Sequence, residues 1–270
     1  MMKKLVILLA FASITAVASM ALAGAAPKTG VKGCCHDVNV AAGGTYKADQ
    51  FQRVCAFCHT PHNELSSGLA RLPQWNHAQS TVTLVPYVWA SPANAGIAIN
   101  ADPLIGPSRL CMCCHDGVTA VDSHGSAGSF NGGNTSLTPH YTDALGKTVK
   151  RYITDLTVTH PIGFKYADAL AVRNVGTDTE LVLPTNGYIA DNQLVGVTFN
   201  TNSRGSLTYS SKKIKDTLYN GYMTCASCHN VHNSVNAVPA ASTVAAGNSY
   251  NYFLYAQEEG SAICLSCHIK

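Results

Sequence analysis

Apolar residues gather into one long run at the start of the chain and thereafter seldom recur with a helical period. The opening stretch MMKKLVILLAFASITAVASMALAG sets Lys3 and Lys4 before an apolar run that ends at the small-residue site Ala21-Leu22-Ala23. That layout reads as a secretory signal peptide, so residues 1–23 are set aside from the fold. No later segment approaches the ~20 apolar residues that span a bilayer. The first cysteine, Cys34, lies well past the cleavage region. The expected product is a soluble exported domain of residues 24–270. Within it, residues 48–59 and 211–220 read as short helices. Residues 180–183 and 194–199 read as short strands between Asn, Gly and Pro turn signals, which places a small β-rich insert at 165–215. Residues 125–138, GSAGSFNGGNTSLT, form a low-complexity surface loop.

Composition makes such a chain hard to fold alone. Only 12% of its 270 residues are charged, and Gly, Asn, Ser and Thr are abundant. Few periodic apolar segments are present to build a compact core, a difficulty that bound cofactors would resolve. The formal charge of +3 falls to about +1 without Lys3 and Lys4, so nothing points to nucleic acid.

The cysteines supply the chemistry. Of 11 Cys, eight form four C-x-x-C pairs, each followed at once by His. They are Cys55-Ala-Phe-Cys58-His59, Cys111-Met-Cys-Cys114-His115, Cys225-Ala-Ser-Cys228-His229 and Cys264-Leu-Ser-Cys267-His268. Two thiols three residues apart lie on one turn and add to the two vinyl groups of one porphyrin, while the adjacent imidazole is held under the iron. The prediction is four covalent haem c groups with His59, His115, His229 and His268 as proximal ligands. Structural zinc would pair the C-x-x-C units two by two and leave the four following His without a role. Four thioredoxin-like motifs would each need a βαβ unit that this chain lacks. Cys34, Cys35 and Cys113 are left over, and export favours oxidising two of them into a disulfide. The fold class expected is therefore a mostly irregular, haem-organised domain, with short helices at the motifs and the small β-rich insert.

The second axial ligand decides what each haem does. Of five Met, only Met112 and Met223 lie beyond the signal segment. Both flank haem motifs and read as packing residues. Histidine is in surplus, so bis-His ligation is expected. The first and third motifs continue as His59-Thr-Pro-His62 and His229-Asn-Val-His232. A second His three residues on cannot reach the opposite face of the same iron, so His62 and His232 must each serve a different haem. His160, in Thr-His-Pro-Ile-Gly-Phe, is a further candidate, followed by His77 in Gln-Trp-Asn-His-Ala and His36 in Cys-Cys-His-Asp-Val. Five candidates compete for four places. His124 and His140, among Gly, Ser, Asn and Thr, read as solvated loop residues.

The ordered set CAFCHTPHN, QWNHA, CMCCHDG, THPIGF, CASCHNVHN and CLSCHIK resembles the exported multihaem c-type cytochromes of metal-respiring bacteria. Within that family it is most similar to the outer-surface tetrahaem type that polymerises into filaments, the OmcE type. The resemblance implies distal ligands drawn from His36, His62, His77, His160 and His232, one of which comes from a neighbouring subunit. It also implies a homopolymer that exchanges electrons with other redox proteins and with an extracellular metal or electrode. The Cys34-Cys35 pair and Cys113 depart from the family pattern. The expected function is electron transfer at the outer surface, by a carrier and not an enzyme. The alternatives are a soluble periplasmic tetrahaem shuttle and, in third place, a multihaem reductase, which would need a vacant iron position.

Overall fold

The computed structural model describes residues 31–32, 36–39, 46, 48–49, 51–59, 75–123, 140–142, 148–190, 198–200, 206–232, 253–256 and 261–269. The signal segment, Cys34, Cys35, His62, His124 and the low-complexity loop lie outside them. Among the described residues no helix is long and apolar enough to cross a membrane.

Regular elements are few and short. Helix α1 spans Pro107–His115, α2 spans Tyr166–Arg173 and α3 spans Ala262–Leu265. Strands β1 (His140–Thr142) and β2 (Thr148–Lys150) form an antiparallel pair with His140 opposite Lys150. Strands β3 (Tyr188–Ala190), β4 (Thr198–Asn200) and β5 (Ser206–Lys213) form an antiparallel sheet with β5 in the centre.

Two expected helices are replaced by other structure. Residues 211–220 run instead as the end of β5 and a 3₁₀ turn at Ile214–Asp216, because pairing of this end of β5 with β3, Tyr188 opposite Lys213, overrides local helix preference. Within 48–59 only the turn Val54–Phe57 is helical. Upstream, the Asp49 carboxylate accepts from the backbone N–H of Phe51 (3.1 Å) and Arg53 (2.9 Å) and binds the Arg53 guanidinium. A side chain that captures nearby N–H groups offers the backbone an alternative to the helix. Residues 180–183 hold a single bridge, Leu181 to His268, in place of a strand.

The 165–215 region begins with a helix and carries much of the core. Helix α2 is Ala-rich, with Asp168 in its first turn and Arg173 in its last, matching the helix dipole. It ends where Asn174 reaches across the following loop. The Asn174 side chain donates to Leu181 O (2.7 Å) and accepts from the N–H groups of Glu180 (3.0 Å) and Leu181 (2.9 Å). Phe164, Tyr166, Ala169, Leu181, Ile189 and Ile214 then pack with Met223 and Ala262, and Cys267 lies against this cluster. A second cluster, Val38, Tyr46, Phe57 and Val121, touches Cys58 and Cys114. A third, Leu104, Met112, Leu156 and Ile162, touches Cys225. Each of these three clusters thus abuts a cysteine of at least one C-x-x-C-H motif.

Candidate functional site

Three of the four motifs share one local design. In the first, Cys55 O accepts from Cys58 N (3.1 Å) and His59 N (2.8 Å), which closes a single helical turn. Cys225 O and Cys264 O do the same for the third and fourth motifs, with His N–H groups at 3.0 and 2.9 Å. A remote extended segment then crosses each turn and pairs with its histidine: Trp75 with His59, Leu254 with His229, Leu181 with His268. The crossing segment donates to the carbonyl of the second cysteine, from Asn76 N (2.8 Å), Tyr255 N (2.9 Å) and Val182 N (2.9 Å) respectively. The second motif differs by ending the nine-residue helix α1, which opens on Pro107 and closes at Gly117, whose φ of +78° suits glycine. Its crossing segment is 151–153: Ile153 N donates to His115 O (2.8 Å), and His115 Nδ1 lies 2.6 Å from Arg151 O.

The histidines meet in pairs drawn from distant parts of the chain. His59 and His232 stack with ring centroids 6.2 Å apart and planes 18° from parallel. His115 faces His36 at 6.0 Å, and His268 faces His160 at 6.4 Å. Metal–imidazole bonds are ~2 Å and the ring centroid lies about 1 Å beyond the nitrogen, so imidazoles on opposite faces of one iron have centroids ~6 Å apart. All three separations fit that span. His160 Nδ1 lies 2.9 Å from Pro161 O. In His160 as in His115, a backbone carbonyl beside Nδ1 fixes the tautomer and leaves Nε2 for a metal.

Partial or full burial favours the neutral form, the one that ligates, in His36, His115, His160 and His232. His36 is brought down to about 3, first by burial and then by the neighbouring imidazoles His115, His229 and His232. His115 and His160 are lowered mainly by burial, and His232 by burial and His59. His36 therefore lies where the second and third motifs and His232 converge.

The cysteines place the motifs edge to edge in chain order. Burial pushes the Cys58 thiol up to about 12, with Cys113 of the second motif its next influence, and Cys114 is raised by burial and Cys58. Cys111 and Cys225 hydrogen-bond each other, which raises Cys111 and lowers Cys225 to about 7. Cys228 is pushed up to about 12 by burial, then by Cys267, Cys225 and Cys264. Motif one meets two, two meets three, and three meets four.

His77 is placed differently from the other distal candidates. It is only 1% exposed, with Nδ1 3.0 Å from Ala78 O and Nε2 3.2 Å from Val121 O. Each ring nitrogen of His77 thus faces a backbone carbonyl, unlike His36, His160 and His232, whose rings face a motif histidine. His77 instead ties 75–78 to the loop after α1, with Nε2 also 3.4 Å from Cys114 Sγ. Cys113 is likewise structural, its fully buried thiol donating to Arg109 O at 3.4 Å. Met112 and Met223 sit in the apolar clusters.

Sequence reasoning passed over Asp116. It caps α1 and accepts from Val118 N, Thr119 N and the Thr119 hydroxyl. The signal was present as Asp-Gly directly after a motif, a turn dipeptide. Among the described residues, no group of three or more His, Cys, Asp or Glu is gathered as in a protein-only metal cage. The described donors come as imidazole pairs flanked by thiols, which fits a porphyrin that already supplies four nitrogens. No family model matches the chain, and no match was found among curated proteins.

Proposed function

We propose that this chain is an exported tetrahaem c-type cytochrome that passes electrons along four contiguous bis-His haems. The observation that carries the reading is the pairing of each described proximal histidine, except His229, with a histidine from elsewhere at 6.0 to 6.4 Å. Residues 55–59, 111–115, 225–229 and 264–268 would hold the haems. His232, His36 and His160 would be the distal ligands of the first, second and fourth. His62, outside the described residues, falls by reciprocity to the third, because His232 of the third motif serves the first. Bound haem supplies one-electron chemistry at iron without a vacant position. The chain's part is to fix both imidazoles of each site and to hold neighbouring sites edge to edge.

The outer-surface filament remains the leading form of this function, resting on the resemblance. Placement of His36 against His115 of the same chain favours a second reading, a monomeric shuttle with all its ligands in cis. Purified holoprotein tests both. Four haems per chain by pyridine haemochrome, with only low-spin signals in electron paramagnetic resonance, are expected. Fewer haems, or a large high-spin signal, would refute the tetrahaem carrier. Filaments in electron micrographs of secreted protein would decide for the conduit, and a strict periplasmic monomer for the shuttle.

A further inference from the structure

Asp49, Asp116 and Asp122 are aspartates with no exposed surface among the described residues. Asp49, near the first motif, is neutralised by Arg53, whose Nε and Nη2 stand 3.0 and 2.7 Å from its two oxygens. Asp116 has only neutral donors. Val118 N and Thr119 N each lie 2.8 Å from Oδ1, the Thr119 hydroxyl lies 2.6 Å from Oδ2, and the Ser80 hydroxyl adds a fourth bond. Every partner donates, so the carboxyl has no proton to share and carries a full charge.

That charge directly follows His115. It acts on His115 more strongly than the opposing guanidinium of Arg151 does, and together with Asp122 it acts on Cys114. Among the described residues, no carboxylate has that influence on His160, His232, Cys228 or Cys267. At the position after the other proximal histidines stand Thr60, Asn230 and Ile269. A buried negative charge favours whichever state of a nearby iron is more positive, and poor screening in the interior strengthens the effect.

We infer that Asp116 sets the reduction potential of the second site and makes it the last of the four to be reduced, an inference that rests on the haem reading above. The site lies between the first and third in the order of thiol contacts, so its charge shapes the route through the protein. Asp116→Asn removes the charge while keeping an acceptor oxygen and the side-chain shape.

The test is a potentiometric titration of the holoprotein, followed by absorbance and by electron paramagnetic resonance. One of the four components should move to higher potential while the other three stay in place. It should be the component that turns high-spin in His36→Ala. Arg151→Gln, which removes the opposing cation and keeps the backbone carbonyl, should move the same component to lower potential. Four haems with every component unmoved in Asp116→Asn, or a shift in a different component, would overturn the inference. If Asp116→Asn fails to load haem, Arg151→Gln decides alone, and an unmoved second-site component there overturns the inference as well. Wild-type haem content, measured first, separates this failure from failure of the haem reading.

Discussion

Replacing His36 and His77 separately by Ala should give opposite kinds of damage. His36 faces His115 at 6.0 Å, so under the proposed ligation its loss would strip the distal ligand from one haem in four. About a quarter of the iron should turn high-spin, and added imidazole should restore the low-spin signal. His77 holds Ala78 O and Val121 O at 3.0 and 3.2 Å from its ring nitrogens in a fully packed site. Truncation strands a buried carbonyl acceptor and leaves a cavity, at a cost of about 2–4 kcal/mol. Its haems should all remain low-spin, while the denaturant midpoint falls. Electron paramagnetic resonance of the oxidised protein reads the first effect and guanidinium unfolding the second. A high-spin signal in His77→Ala, with His36→Ala wholly low-spin, would refute the assignment of both residues.

Other perturbations follow from the same geometry. His160→Met should keep the fourth site low-spin and raise one component of the redox titration, because thioether ligation favours ferrous iron; an unchanged titration would remove His160 from the ligand set. Ile214→Ala, at a fully buried position of the largest apolar cluster, should cost about 2–5 kcal/mol in chemical unfolding with haem content intact. Gly163→Ala should both destabilise the protein and loosen the fourth site. Its φ is +79°, and an added Cβ would lie 2.6 Å from Pro103 Cα just after the His160 loop, so a high-spin fraction should accompany the lower midpoint.

The thiol–imidazole turns were legible in the sequence, because two cysteines and a histidine on one turn form a local motif. The proposal that His62 and His232 serve neighbouring sites was legible too, since a residue three positions on from a ligand cannot reach the opposite face of the same iron. Which residue faces which was hidden. The partners of His115 and His268 are 36 and 160, and no local rule links positions so far apart. His36 and His77 looked alike in the sequence, and only the carbonyls of Ala78 and Val121 around His77 tell them apart. Secondary structure was misread for related reasons. Asp49 diverts a stretch that has helical composition, and β5 is extended because two strands flank it. The 165–215 region reads in the sequence only as a small β-rich insert because its apolar residues show no long period, yet Leu181 and Val182 from it cross the last motif.

The crossing segments that pair with His59, His229 and His268 have a consequence for how the chain is made. Leu181 meets His268 and His59 faces His232, so the closing contacts join the ends of long loops. Contacts of such high order form late, because loop-closure entropy must be met before any of them contributes. An exported chain would therefore stay open until its last motif has emerged. On the proposed haem reading, the cysteines of every earlier motif, including those later pressed against one another, would in that interval stay within reach of the machinery that joins haem to them.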